Sequence, residues 1–258
     1  MAAVERYDDF DYLCNESYYI PDIGTIRNPT LRDIRKITHR LFIMYVNICS
    51  ISHSEYLKQC GLSEEYEQLS LFKLLLMGNT GLLAGLIHFF ISDITEFCES
   101  DLSFHIFQEI EDSQDEKQKH ETGKIDENNF DIFRNEVLKC LGLKQIVTKK
   151  PKYKTERARL LAEKIEKSKA QLCNNTKPDE NLVLDNMIKK YCTHNKVGIN
   201  ILNVWDMTFY QFNIMFTEYM NGREMDFNDA MATHTFSYKD PKDYIPGLWI
   251  EQIHHNHI

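Results

Sequence analysis

Apolar positions recur at intervals of three and four residues through much of the chain, which is the spacing of one face of an α-helix. The pattern is clearest near the end, where five aromatic residues share a face: Trp205, Phe209, Phe212, Phe216 and Tyr219. Thr208 and Gln211 form a T-x-x-Q capping box at the start of this segment. Asn221-Gly222 predicts its end, because glycine accepts the left-handed backbone that terminates helices.

Further helices have their own start and stop signals. One begins at Thr30 and continues through ITHRLFIMYVNI. An acidic residue three positions after Thr30 supports this start. A short helix begins at Ser52 and ends at Gly61. The residues 127–140 and 182–191 also show helical periodicity.

Strand signals are few. No segment shows sustained alternation, and the best candidate for extended chain is the short IPDIGTI at 20–26. Ten glycines and six prolines supply few obligatory turns, whereas a many-stranded sandwich needs one about every ten residues. The predicted fold class is therefore all-α, or mainly α.

The longest apolar stretch runs from Leu74 to Ile91 without a charged residue. Gly78-Asn79-Thr80-Gly81 predicts a turn that divides it into two short helices. Neither half reaches the roughly 20 residues needed to cross a bilayer. We expect a buried helical hairpin, with membrane contact as the alternative.

Composition divides the chain into three regions. Residues 1–145 form a predicted helical N-terminal domain, with an acidic, exposed loop near 111–129. A basic helix and linker follow at 146–181. Residues 182–258 form an aromatic-rich helical C-terminal unit.

Net charge and cysteine usage indicate which partners and which cellular compartment to expect. The net charge is −9, which argues against nucleic-acid binding by the surface as a whole. Seven cysteines are scattered without a C-x-x-C pair, which is typical of free, mostly buried thiols in a reducing cytoplasm. The N-terminus is acidic and has no apolar core, so we expect no signal peptide.

Motifs for catalysis are missing from the sequence. It contains no phosphate-binding glycine loop, no G-x-S-x-G and no H-E-x-x-H. Three groups resemble metal ligands and are better explained as ordinary polar positions: the pair Cys192 and His194, the tail histidines His254, His255 and His257, and the carboxylates Asp8, Asp9 and Asp11. We therefore expect a protein that is not an enzyme and holds no metal or cofactor.

The basic segment is one candidate contact surface. Its cationic side chains are Lys149, Lys150, Lys152, Lys154, Arg157 and Arg159. A solvated helix, an acidic protein partner and a nucleic acid are all compatible with it. Three glutamates and a single aromatic residue weaken the nucleic-acid alternative.

The aromatic helix is the other candidate surface. Its main stripe is expected in the core, but Tyr210 and Met215 fall off that stripe. Exposed Tyr and Met side chains are typical of protein interfaces. The predicted protein-binding residues are Tyr210, Met215, Tyr219 and Trp249.

Five collinear elements resemble a family of tail assembly chaperone-like proteins from phages of Gram-positive hosts, encoded near the tape-measure gene. The elements are IGTIRNPTLRDI at 23–34, the apolar block from Phe72 to Ile91, FDIFRNEVLKC at 130–140, ARLLAEKIEK at 158–167 and VWDMTFYQFNIMFTEY at 204–219. Each is a structural pattern without catalytic residues. After Gly222 the chain departs from the family by adding Pro241 and Pro246.

The resemblance implies a binding function in the host cytoplasm. Such chaperones keep the tape-measure protein soluble and recruit tail-tube subunits, so the expected partner is one of these, with self-association also open. A structural virion protein, such as a head–tail connector or baseplate component retained in the particle, is the alternative. An enzyme with an unrecognised site would need a pocket of titratable residues with perturbed pKa values.

Overall fold

The computed structural model describes residues 9–61, 64–111, 117–143, 155–157, 159–161, 164 and 183–232. Helices make up most of this part, with short 3₁₀ turns at Glu64–Gln68 and Val204–Asp206. The α-helices are α1 (Asp9–Tyr12), α2 (Leu31–Ile37), α3 (His39–Ser50), α4 (His53–Cys60), α5 (Leu71–Phe90), α6 (Phe130–Cys140), α7 (Leu184–His194) and α8 (Phe209–Ala232).

Two antiparallel sheets accompany the helices. The first is a hairpin of β1 (Tyr18–Ile20) and β2 (Gly24–Ile26). The second has the order β3 (Ile94–Cys98), β4 (Ser103–Glu111) and β5 (Lys117–Ile125). The extended chain predicted at 20–26 is confirmed within the first sheet. The all-α fold class is wrong, because the described residues are 60% helical and also form five strands in two antiparallel sheets.

The acidic loop predicted near 111–129 is also wrong over residues 117–125, because β5 occupies them. This strand carries few apolar residues, and its alternation is therefore not visible in the sequence. Pairing with β4 orders it, and Phe104, Ile106 and Ile125 bury the inner face of the sheet. The two strands are neighbours in sequence, but the charged residues of β5 resemble a loop, so local periodicity could not reveal the strand.

Helix starts follow the sequence signals closely. The Asp33 N–H donates to Thr30 Oγ at 3.1 Å, and the Asp33 carboxylate accepts from the Thr30 N–H, which completes a capping box before α2. The same reciprocal arrangement joins Ser52 and Glu55 before α4. Thr208 and Gln211 form a third box at the start of α8. The predicted helix starts are confirmed at all three.

Two predicted boundaries are wrong. The helix expected to run on from Thr30 is divided at Thr38, whose φ of 77° ends α2 while its hydroxyl caps α3. The last helix does not end at Asn221-Gly222 but continues to Ala232. A glycine inside a helix costs only about 1 kcal/mol, so neighbouring helix formers carry α8 through it.

The apolar stretch forms α5, in which Asn79 is non-helical (φ −162°, ψ 84°). The Asn79 side chain accepts from the Leu82 N–H at 2.9 Å, so it caps the second half of the helix. The predicted interruption is therefore present as a kink. By length and composition alone α5 could cross a membrane, but nine of its side chains belong to the core, from Leu71 to Phe90.

One hydrophobic cluster joins the N-terminal and C-terminal regions. The Leu31 N–H donates to the Met207 carbonyl oxygen at 2.9 Å, and the Phe209 N–H donates to the Pro29 carbonyl oxygen at 2.9 Å. The rings of Phe42 and Phe209 lie 5.1 Å apart. The start of α8 is consequently anchored against α2 and α3, while its C-terminal half projects beyond these contacts.

Candidate functional site

A cleft of about 340 Å³ lies between α7 and α8. Tyr191 and His194 contribute from α7, and Val197 from the loop that follows. Met215, Tyr219 and further α8 residues complete the wall, namely Glu218, Gly222, Arg223 and Asp226. Volumes of about 300–1,000 Å³ are typical of sites for small molecules or single anchoring side chains, and this cleft is at the lower end.

Aromatic contacts hold the floor of the cleft. The Tyr191 ring meets Tyr219 edge to face, with centroids 5.7 Å apart and planes at 78°. Tyr191 also meets Phe212 at 5.9 Å, and Phe212 is fully buried. Burial raises the pKa of the Tyr191 phenol. The floor is therefore a fixed apolar surface, because its rings are packed against the core.

Charged groups surround this apolar floor. Lys196 Nζ lies 3.7 Å from Asp226 Oδ2 across the mouth of the cleft, and Glu218 and Arg223 stand on α8 beside it. An apolar centre with a polar rim is the usual anatomy of a protein-binding surface.

A separate exposed apolar stripe lies on the C-terminal half of α8, about a third of a turn round the helix from the residues that line the cleft. Met220, Phe227 and Met231 are spaced by seven and four residues, which places them on one helical face. Phe227 is 63% exposed, an unusual value for a phenylalanine. The loop before α8 exposes three more apolar side chains, Val197, Ile201 and Leu202, of which Val197 lines the cleft.

The predicted binding residues divide into three groups. Met215 is 36% exposed, and it lines the cleft together with half-buried Tyr219. Tyr210 is 5% exposed and packs on Tyr12 with centroids 5.8 Å apart. Its place off the main stripe led us to expect exposure, but α1 covers that side of the helix, so Tyr210 is corrected to a core residue. Trp249 lies outside the described residues.

The predicted basic surface is only partly described. Lys149, Lys150, Lys152 and Lys154 lie outside the described residues. Arg157 and Arg159 are exposed, and Arg159 forms an ion pair with Glu156 at 3.1 Å.

A second group of polar side chains lies at the turn between β3 and β4. His105 Nδ1 is 2.6 Å from Glu121 Oε1, and His105 Nε2 is 3.1 Å from both Asp101 Oδ2 and Ser103 Oγ. One ligand atom from each of Cys98, Asp101 and His105 lies within 4.8 Å of the other two.

Hydrogen bonds shift the titration of this group. The bond from Ser103 contributes most to lowering the pKa of Asp101 to about 2, and bonds from Cys98 and His105 act in the same direction. The pKa of His105 is raised, chiefly by the hydrogen bond to Glu121 and then by Asp101. The two carboxylates therefore hold the imidazole from both sides.

The sequence-based search for metal ligands missed this group. It considered Cys192 and His194, which lie on α7, where His194 faces the cleft. The spacing C-x-x-D-x-x-x-H from Cys98 to His105 is visible in the sequence. It brings the three side chains together only because the chain turns between two strands, and local periodicity did not predict that turn.

Comparison with known proteins gives one partial match. A family model described as "YomV second domain", a Bacillus phage-derived family, matches residues 175–254. No curated protein and no solved structure matches the chain. The matched segment contains every residue that lines the cleft between α7 and α8. The C-terminal part of the chain is thus similar to a phage-associated domain, which indicates a phage protein.

Proposed function

We propose that this protein acts in phage assembly by binding an apolar helical segment of a tail protein in the cleft between α7 and α8. The observation that carries the proposal is the apolar surface that Met215 and Tyr219 present in the cleft, with a second exposed apolar stripe around Phe227 on another face of α8. This surface lies within the segment that is similar to a phage-associated domain.

The shape of the surface favours a helix as the bound element. The cleft can hold an anchoring side chain, and the stripe of Met220, Phe227 and Met231 offers an apolar surface on another face of α8. Partner helices dock through apolar residues spaced at i, i+3 or i+4, and i+7. The stripe of Met220, Phe227 and Met231 presents the same spacing. Two such faces can therefore pair along their length.

The resemblance to tail assembly chaperones suggests which helix is bound. A tape-measure protein is long and largely helical, and it needs its apolar faces covered until the tail tube surrounds it. We therefore propose the tape-measure protein as the partner, bound in the host cytoplasm. An apolar binding surface, on a chain whose sequence has no recognisable catalytic motif, fits a protein that keeps its partner soluble.

Co-expression with the tape-measure protein of the same phage tests this function. The soluble fraction of the tape measure is expected to rise when this chain is present, and the two should co-purify. Mass spectrometry of purified particles is then expected to detect little of this chain. Its recovery at stoichiometric levels in mature particles would favour the structural virion protein instead.

A further inference from the structure

We propose that Cys98, Asp101 and His105 bind a zinc ion at the turn between β3 and β4, with Glu121 as the residue that orients His105. The site is independent of the cleft between α7 and α8. Its three ligand atoms already lie within 4.8 Å of one another.

The donor set determines the kind of metal. A thiolate, an imidazole and a carboxylate together offer sulfur, nitrogen and oxygen, a combination typical of Zn²⁺. Magnesium and calcium prefer oxygen ligands alone. Three protein ligands leave the fourth tetrahedral position open to water or another ligand, which is the arrangement of non-structural zinc sites.

The required rearrangement is small. Zinc bonds of about 2.0–2.3 Å hold tetrahedral ligand atoms roughly 3.4 Å apart. His105 Nε2 and Asp101 Oδ2 are 3.1 Å apart, so this pair needs almost no movement. The Cys98 thiol, now 3.0 Å from Ser100 Oγ and within 4.8 Å of the other two ligand atoms, has to move toward them by about 1 Å.

Glu121 contacts the proposed ligand His105 and is not itself a metal ligand. A histidine that binds metal through one ring nitrogen commonly donates its other N–H to a carboxylate, which fixes the tautomer and the ring orientation. His105 Nδ1 makes this contact with Glu121 at 2.6 Å. Its Nε2 is thereby directed toward Asp101, where the ion is proposed to lie.

A β-bulge is responsible for the position of Glu121. Phe107 pairs with Glu121 and Ile106 pairs with Gly123, so Thr122 is the extra residue with no register partner on β4. Successive side chains on a strand alternate between faces, and an extra residue reverses that alternation. The bulge therefore brings Glu121 to the face that carries His105 and its cross-strand neighbour Lys124.

Lys124 is the cation that competes with a bound ion. Its Nζ is 3.7 Å from Asp101 Oδ2 and also 3.7 Å from Asp126 Oδ2. When zinc occupies the site, Lys124 can keep its pairing with Asp126 and leave Asp101 to the metal. The charged groups around the site are thus Asp101, Glu121, Lys124 and Asp126, with a net negative balance that favours a divalent cation.

The test uses the full chain with the tail histidines removed (H254N/H255N/H257N), so that they cannot chelate metal. Co²⁺ replaces Zn²⁺ as a visible probe, and added Zn²⁺ then displaces it in a competition titration. We expect one Co²⁺ per chain, a thiolate-to-cobalt charge-transfer band in the near ultraviolet, and displacement by one equivalent of Zn²⁺. Binding that needs the tail histidines, or a spectrum without the thiolate band, overturns the proposal.

Single substitutions in this background assign the ligands. Cys98→Ser is expected to abolish the thiolate band, whereas Cys60→Ser, which removes an exposed thiol on α4, is expected to keep it. Asp101→Asn, at the exposed turn, is expected to weaken Zn²⁺ binding and provides a second variant if Cys98→Ser fails to fold. Persistence of the band in Cys98→Ser, or unchanged affinity in Asp101→Asn, contradicts the site.

The role of Glu121 has its own readout. Glu121→Gln is expected to retain the thiolate band and to weaken Zn²⁺ binding about 10- to 100-fold, as is usual for a residue that orients a metal-bound histidine. Circular dichroism in the absence of metal checks that the sheet is intact. Unchanged affinity in a folded Glu121→Gln variant shows that Glu121 does not orient the ligand.

Discussion

The ring of Tyr210 on α8 packs against the ring of Tyr12 on α1, with centroids 5.8 Å apart and planes at 54°. Two residues separated by most of the chain thus meet in one core. On its other side, a Cβ placed at Gly142 would lie 3.1 Å from the Tyr210 ring. Tyr210 is therefore enclosed between the N-terminal residues and the end of α6.

Replacing Tyr210 with Ala is expected to lower the free energy of unfolding by roughly 3–5 kcal/mol, because the change leaves a cavity among aromatic side chains. Urea denaturation measures the effect. Tyr19→Ala serves as the control, since Tyr19 is 49% exposed and makes one hydrogen bond to the Thr122 carbonyl oxygen. Equal stability of the Tyr210→Ala variant and the wild type would show that Tyr210 is not in the core.

Two glycines provide a matched pair with opposite expected effects. A Cβ at Gly123 would lie 2.7 Å from the Ile23 carbonyl carbon and 2.9 Å from the Gly24 nitrogen, where backbone has to move. Gly123→Ala is expected to destabilise the fold by about 1–3 kcal/mol. Gly222→Ala meets nothing within 4 Å and is expected to stabilise α8 by up to about 1 kcal/mol. A Gly123→Ala variant that unfolds at the wild-type temperature or above contradicts the packing of β5 on the β1–β2 hairpin.

Arg134 is a buried cation that caps the end of α3. Its Nε–H donates to the Ile48 carbonyl oxygen at 3.1 Å, and a second N–H donates to the Ile51 carbonyl oxygen. Burial lowers the pKa of Arg134, and Asp131 opposes that shift. Arg134→Met is expected to cost about 2 kcal/mol, because two carbonyl groups lose charged donors. Chemical denaturation that finds no loss would mean that these bonds do not stabilise the fold.

The Asp33 carboxylate gives the capping box before α2 a pH dependence. Burial opposes ionisation, but hydrogen bonds from Thr30 and Lys36 outweigh it and lower the pKa of Asp33 in the folded state. The stabilisation is therefore present above the unfolded pKa near 3.8 and is lost as pH falls through the lower folded value.

Asp33→Asn is accordingly expected to cost about 1 kcal/mol at neutral pH. The free energies of unfolding of wild type and variant should converge in strong acid. Glu224→Gln, on an exposed part of α8, controls for the change in net charge. A difference between Asp33→Asn and wild type that stays constant with pH contradicts this role.

The sequence predicted features that depend on neighbouring residues. Thr30, Ser52 and Thr208 were identified as helix starts because a capping box needs only four consecutive residues. The four consecutive residues Gly78-Asn79-Thr80-Gly81 likewise predict an interruption, as a turn, where the structure has a kink at Asn79. The strand β5 was missed because its order comes from β4, and its own charged residues resemble a loop.

In the candidate sites, too, some features follow from neighbouring residues and others depend on residues that are distant in sequence. Met215 and Tyr219 could be selected from the aromatic pattern of α8, but the burial of Tyr210 depends on α1, which is distant in sequence. The grouping of His105 with Glu121 depends on a bulge at Thr122 that no local spacing reveals. Long-range packing thus decides which members of a predicted pattern remain available for binding.

The affinity for a tape-measure helix tests the proposed function most directly. Isothermal titration with a helical segment of the tape-measure protein should compare the wild type with Met215→Gln in the cleft and with Met77→Gln on α5, a 68% exposed methionine that does not line the cleft. We expect Met215→Gln to weaken binding about 10-fold or more and Met77→Gln to bind as the wild type does. Equal affinities of all three proteins, or no binding by the wild type, would contradict the assignment of the cleft as the partner site.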